Sequence, residues 1–325
     1  MQTRLKGKHF ITTQEWTTDE LETVFELARE LKVAKAAGRP MRLLADKTLY
    51  MIFFDSSTRT RNSFETGITQ LGGHGIFLSP DKMQISHGEN AKDTASVLSR
   101  YGDAIAIRHC AFREGNAYLR DVARWASVPV INMQCDVYHP CQILADYMTI
   151  REKFGADTRG LKIGVAWTSA PNYIRPLSVP QSLILMMPRF GLDVTLAYPP
   201  EFRLMPDIEE QARHNAAEAG VRFEIVHDFE AAFRDADIVI PKSWGPLMHT
   251  TDKAEGLALI EKYPGWRCEA RHMALAKKRC IYMHPLPADR GREVTDEVID
   301  GPQSVVYDEA ENRLHVQKAL MALTM

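Results

Sequence analysis

The chain has 325 residues, of which 45% are hydrophobic and 25% charged, with a formal net charge of −2. This is an ordinary globular composition, long enough for two medium α/β domains with their own cores. So small a net charge gives no reason to expect a nucleic acid or an acidic membrane as partner, whereas a small anion needs only a local cluster of positive charge. The five cysteines (Cys110, Cys135, Cys141, Cys268, Cys280) form no Cys-x-x-Cys pair, which argues against a disulfide framework or structural zinc and for a reducing, cytoplasmic setting. Arg4, Lys6 and Lys8 precede no apolar stretch, so neither a secretion signal nor a membrane span is expected.

Along the chain, short apolar runs alternate with amphipathic segments, the pattern of βαβ units around parallel sheets. A helix is expected over residues 18–37, where Leu21, Val24, Phe25 and Ala28 recur at helical spacing. A strand follows at 48–54, then helices at 60–71 and 91–101, strands at 104–108 and 129–133, and a helix at 139–154. Small and charged residues at 155–160 mark a boundary. Beyond it, strands are expected at 161–167, 194–198, 223–226, 238–241 and 280–284, and a helix at 207–219 capped by Asp207 and ended by Gly220. A last helix covers about 309–323. The expected organisation is therefore two parallel-sheet α/β domains, residues 1–154 and 155–308, with the C-terminal helix, 309–325, packing back on the first. Open sheets of this kind take ligands outside the C-terminal ends of their strands.

Three segments carry chemistry. The first is Asp55-Ser56-Ser57-Thr58-Arg59-Thr60-Arg61, directly after the apolar strand 48–54. A strand, a hydroxyl-rich turn and a helix N-terminus together make an anion site, with backbone N–H groups and the helix dipole facing the ligand. Ser57 and Thr60 can add hydroxyl donors, and Arg59 a planar fork for two phosphate oxygens. The competing reading is a plain N-cap with solvated arginines. The second is His139-Pro140-Cys141-Gln142, where proline suits a first turn and His139 and Gln142 project from one side of it. An imidazole and a carboxamide so placed can bind a small planar group. The third is His284-Pro285-Leu286-Pro287, whose prolines leave carbonyls that cannot all pair in a ladder; Leu286–Pro287 is a candidate cis peptide.

In this order the segments resemble the aspartate/ornithine carbamoyltransferase family, and the likeness runs from Lys8-His9-Phe10 to the C-terminal stretch that carries Arg313. The resemblance implies that Ser57, Thr58, Arg59, Thr60 and Arg61 bind the phosphate of carbamoyl phosphate with help from Arg108. It implies that His139 and Gln142 bind the carbamoyl group, and that Pro285, Leu286 and Arg313 complete the site. His139, Arg108 and Arg59 would be the catalytic groups. The family is homotrimeric with shared active sites; the visiting loop would be residues 79–89, with Gln84 reaching the neighbour. No metal and no organic cofactor is implied.

The amine substrate is less legible. Ile240-Pro241-Lys242-Ser243-Trp244-Gly245 stands where ornithine enzymes usually carry Asp-x-x-x-Ser-Met-Gly. It looks like the N-acetylornithine and N-succinylornithine branch, as does the loop from Trp167 to Pro176, which in that branch threads a trefoil knot in the second domain. Lys242 and Trp244 would then meet the substrate, with Glu293 where that branch carries a carboxylated lysine. An ornithine or N-acylated ornithine-like substrate is expected, and another diamino acid, polyamine or ureido compound is the alternative. A dinucleotide enzyme is disfavoured, since Thr168-Ser169-Ala170-Pro171 after the strand 161–167 lacks a Gly-x-Gly-x-x-Gly turn. A non-catalytic carbamoyl-phosphate sensor has no chemical need for Arg59, Arg108, His139, Gln142 and Arg313 together.

Overall fold

A computed structural model of the chain describes residues 4–171 and 174–325. It divides into two compact units, one up to Met148 together with Glu311–Met325, the other Thr149–Ala310.

The first unit is built on a parallel sheet in the order β2-β1-β3-β4, with β1 at Thr48–Phe53, β2 at His74–Leu78, β3 at Ala104–His109 and β4 at Val130–Cys135. Its helices are α1 (Thr18–Ala36), α2 (Thr58–Gln70), α3 (Ala91–Tyr101), α4 (Gly115–Trp125) and the first turns of α5 (Pro140–Phe154). A capping box between Thr17 and Glu20 starts α1. The core is apolar: Ile52, Ile105, Ile107, Leu119, Val122 and Val130 pack together between sheet and helices.

The second unit repeats the plan with five parallel strands in the order β7-β6-β5-β8-β9. They span Lys162–Trp167 (β5), Asp193–Ala197 (β6), Phe223–Val226 (β7), Ile238–Lys242 (β8) and Ile281–Tyr282 (β9). Helices α6 (Ser178–Met186), α7 (Pro206–Ala219), α8 (Lys253–Ile260), α9 (Ala270–Met273) and α10 (Asp296–Ile299) complete it, and α11 (Val306–Thr324) runs on into the C-terminal part of the first unit. Among the described residues no helix is long and apolar enough to cross a membrane.

The two parallel-sheet α/β bodies are as the alternation of apolar runs required, but several local readings change. Strand β2 and helix α4 were not legible: the first is a short edge strand behind Gly72-Gly73, and the second begins at Gly115 without a side-chain cap. Asp207 does not cap α7; the N-cap position is Met205 and Pro206 opens the helix, leaving Asp207 inside the first turn. Helix α11 starts at Val306, a turn before the expected 309. The loop expected to thread a knot passes through Asn172 and Tyr173, which lie outside the described residues.

Glycine is required where the central strand β5 meets the 3-10 turn Glu230–Ala232, because a Cβ at Gly164 would lie 1.8 Å from the Ala232 carbonyl oxygen. Gly164→Ala should therefore destabilise the fold by on the order of 3 kcal/mol. Gly265→Ala, whose Cβ would meet nothing within 4 Å, is the control and should leave the urea midpoint nearly unchanged.

Candidate active site

In the first unit the strand order reverses between β1 and β3, since β2 lies on one side of β1 and β3 on the other. A crevice opens outside the strand ends at such a switch point. The loop leaving β1 leads into α2, whose N-cap Ser57 accepts a hydrogen bond from the Thr60 N–H at 3.2 Å. Asp55 Oδ2 accepts from the Cys110 N–H at 2.7 Å and so ties the exits of β1 and β3 together. Arg108, half-buried, is the penultimate residue of β3.

Around this point three guanidinium groups gather beside one imidazole. Arg313 on α11 is 3% exposed; it donates to Gln142 Oε1 at 2.5 Å and to Thr60 Oγ1 at 3.0 Å. With its carboxamide assigned from the hydrogen-bond pattern, Gln317 also accepts from Arg313, at 3.0 and 3.1 Å. Arg108 donates through a terminal nitrogen to Gln134 Oε1. Gln142 in turn donates to Asp146 Oδ1 at 2.7 Å. The hydrogen bonds of Arg108 and Arg313 thus go to neutral oxygens, and their charge is not cancelled by a carboxylate in direct contact. Burial lowers the pKa of Arg313 to about 10, with Arg108 and Arg59 adding to the shift. His139, just before α5, is 5% exposed; burial first, then Arg313, Arg108 and Arg59, hold its pKa well below the usual histidine value. It is therefore a neutral imidazole, able to donate one N–H to an oxyanion. A concentration of buried positive charge beside helix-terminal N–H groups is suited to a phosphorylated anion.

The second unit reverses its order between β5 and β8, and there the charges are balanced. Lys242, the last residue of β8, sends its ammonium to Glu293 Oε1 at 2.9 Å and to the carbonyl and hydroxyl of Ser243 at 3.2 and 3.1 Å. Glu293 is wholly buried and also accepts from the Ser243 N–H at 2.7 Å, Arg175 at 2.7 Å and the Asp289 N–H at 2.8 Å. Arg175 donates in addition to Asp289 at 2.8 Å. Burial lowers the Lys242 pKa to about 8 against the opposing pull of Glu293, while Lys242, His284 and Arg175 outweigh desolvation and keep Glu293 well below the usual carboxylate range. Among the described residues no group of three His, Cys, Asp or Glu is placed to hold a metal.

Comparison with known proteins now decides the family. The carbamoyl-P binding domain of aspartate/ornithine carbamoyltransferases matches residues 8–152, and the Asp/Orn binding domain of the same family matches residues 176–324. The chain belongs to the aspartate/ornithine carbamoyltransferase family. It is 43% identical over 321 residues to the ornithine carbamoyltransferase of Thermococcus kodakarensis, covering 99% of this chain and 97% of that one. The solved structure of the Pyrococcus furiosus ornithine carbamoyltransferase superposes with a TM-score of 0.90 at 41% identity, over 99% of this chain and 98% of the other. An acetylornithine transcarbamylase complexed with acetylcitrulline also reaches a TM-score of 0.90, at 36% identity over 97% and 98% of the two chains.

Against the residues that the carbamoyltransferase likeness singles out, the first unit brings together Ser57, Thr58, Arg59, Thr60, Arg108, His139, Gln142 and Arg313. Arg61 is a correction: its guanidinium pairs with Glu65 at 3.1 Å and lies 3.8 Å from the Phe77 ring centre, and it is not among the arginines that act on His139. Gln84 sits exposed on a one-turn 3-10 helix, Gln84–His87. Pro285 and Leu286 belong to the second unit; the Leu286–Pro287 bond is cis, and Leu286 has a φ of 51°. Trp244 is a second correction. It is 1% exposed, its indole donates to the Phe202 carbonyl at 2.7 Å, and its own carbonyl accepts from Trp167 at 2.8 Å, which makes it core. Lys242 and Glu293 are bound to one another instead of presenting bare charges. Sequence reasoning missed Gln134, Gln317, Arg175 and His284 as members of these clusters. His284 opens the third motif and Arg175 lies in the loop from Trp167 to Pro176, but neither residue type announces its buried partner, and Gln134 and Gln317 belong to no motif.

His284 gives a measurable consequence. Its Nδ1 accepts from the Leu286 N–H at 2.9 Å, so the proton sits on Nε2, 3.3 Å from Glu293. Burial pulls its pKa to about 4 despite Glu293. An unfolded chain takes up that proton near pH 6.5, so stability is complete above this pH and is lost as pH falls towards 4. Buried neutral His139 and His315 act with the same sign. His284→Asn, which can still accept from Leu286, should remove up to about 1.4 kcal/mol per pH unit from the slope of unfolding free energy over that window. Urea titrations at stepped pH check this; an unchanged slope would show that His284 is charged in the fold.

Proposed function

We propose that the chain transfers the carbamoyl group of carbamoyl phosphate to the side-chain amine of ornithine or of an N-acylated, ornithine-like amino acid, releasing phosphate. The observation that carries the reading is the set of three arginines acting on His139 in the carbamoyl-P binding unit, with Arg313 buried, Arg313 and Arg108 held by neutral oxygens, and the imidazole kept unprotonated. The relatives, an ornithine carbamoyltransferase and an acetylornithine transcarbamylase, support the amine class.

In this reading the neutral amine adds to the carbamoyl carbon and the carbonyl oxygen becomes negative. The His139 N–H and the guanidinium of Arg108, or of Arg59, stabilise that oxygen, one preorganised donor contributing about 3–4 kcal/mol. The carbon–oxygen bond to phosphate then breaks, and the leaving phosphate stays within the arginine cluster, whose charge favours the more anionic product. The phosphate itself takes the proton of the amine, so no separate base is required. Orientation of both reactants in a dry site supplies the remainder.

The active protein is a homotrimer in this proposal, with the loop around Gln84 serving a neighbouring subunit; the exposure of residues 84 and 86–88 accords with this. The setting is the cytoplasm, which suits five thiols with no disulfide among them.

Carbamoyl phosphate offered with ornithine, N-acetylornithine, N-succinylornithine, putrescine and short diamino acids should give ureido product from an ornithine-like amine. Phosphate binding without any turnover across this panel would overturn the proposal. His139→Ala should lower kcat by roughly 100- to 1000-fold, whereas Arg59→Ala should abolish binding of carbamoyl phosphate. Mixing dissociated Arg59→Ala and Gln84→Ala subunits should regenerate activity that neither has alone; no regeneration would exclude shared sites.

A further inference from the structure

We propose that Gln134 is a positioning residue that aims Arg108 at carbamoyl phosphate without cancelling its charge, an inference that rests on the function just proposed. It begins with the sheet. The parallel ladder between β3 and β4 pairs Ile105 with Val130, Ala106 with Ile131 and Ile107 with Asn132, then slips so that Arg108 pairs with Gln134. Met133 is the extra residue. Under regular alternation Gln134 would share a face with Asn132 and Ile107, on the opposite side from Arg108. A bulge of this kind re-aims a side chain, and such bulges concentrate next to active sites. Here it turns Gln134 to the side of Arg108.

The side chains then meet: Arg108 donates through a terminal nitrogen to Gln134 Oε1, and Gln134 is 6% exposed. Among the described residues the Arg108 guanidinium donates to no other side chain, and its Nε is buried without a partner. Its direction therefore depends on one carboxamide. The chemical type matters as much as the place. A carboxamide oxygen orients a guanidinium but leaves the full positive charge available, whereas a carboxylate in its place would form an ion pair and compete with the phosphate. The same choice is made at Arg313, which is held by Gln142, Gln317 and Thr60.

The test compares Gln134→Met, which removes the acceptor at similar volume, with Gln134→Glu, which keeps an acceptor and adds a negative charge. The readouts are KM for carbamoyl phosphate, KM for the amine, kcat, and the affinity for inorganic phosphate by calorimetry. The methionine variant should raise KM for carbamoyl phosphate by roughly 10- to 100-fold with the amine KM nearly unchanged. The glutamate variant should be worse by at least a further factor of about ten and lose measurable phosphate binding. A purely structural role predicts the reverse order, since glutamate preserves the hydrogen bond. Wild-type behaviour of Gln134→Met, a milder defect in Gln134→Glu than in Gln134→Met, or an equal rise in both Michaelis constants would each overturn the inference. Should the glutamate variant not fold, the split between the two Michaelis constants in Gln134→Met decides alone. If the Arg59→Ala variant binds inorganic phosphate as tightly as the unmodified protein, the functional reading itself fails, which is a separate result.

Discussion

Holding a buried cation without neutralising it is the constraint on which the first unit is organised. Desolvating a guanidinium is costly, and most proteins offset the cost with a carboxylate at contact distance. Here Arg313 is 3% exposed and yet its direct partners are two carboxamides and a hydroxyl. The carboxylate of Asp146 stands one link back, behind Gln142. This relay lowers the cost of the buried charge while leaving its field directed outward at the strand ends. Burial first, and the neighbouring arginines second, lower the Arg313 pKa to about 10 and hold His139 well below the usual histidine value. An imidazolium would be redundant among three arginines; a neutral imidazole contributes a directional donor where they contribute charge.

The second unit uses the same parallel architecture for the opposite electrostatic solution. Its buried Lys242 and Arg175 are each in contact with a carboxylate, and Glu293 collects both of them together with two backbone N–H groups. Three chain segments end on that one carboxylate: the exit of β8 at Lys242 and Ser243, the loop after β5 at Arg175, and the turn containing Asp289. The cluster is thus closed on itself, and its first task is to fix three loops in register. Removing one partner would leave an uncompensated charge in a place with no water to dissolve it, a loss of about 3–5 kcal/mol in comparable buried pairs.

What the sequence made legible follows from how local each signal is. The Ser-x-Arg-Thr-Arg and His-Pro-x-Gln segments announce themselves because cap, charge and helix start lie within a few residues, and the structure puts Ser57 and Thr60 in those capping positions. Gly220 ends α7 in the left-handed region for an equally local reason. By contrast, Lys242 read as a residue that meets the substrate because its partner lies 51 residues away, and nothing in a strand-terminal lysine reveals a distant Glu293. Arg61 belongs to a run of phosphate-binding type, but its guanidinium is engaged by Glu65 and Phe77. Trp244 stands in a segment that the family resemblance assigned to the substrate, and burial alone distinguishes a ring that packs from one that binds.

Gln134 marks the limit of such reading most sharply. In one dimension it is a polar residue near the end of an apolar strand, with Asn132 two positions before it suggesting the same face. The one-residue slip against β3 reverses that assignment, and no propensity or periodicity encodes the slip because it exists only between two strands. A parallel sheet fixes the face of every side chain by its register, so a single inserted residue is enough to convert a strand-end glutamine into the partner of Arg108. The position of the Arg108 charge is consequently a property of the pairing of β3 with β4, and the motifs recognisable in the sequence supply the groups that this pairing brings together.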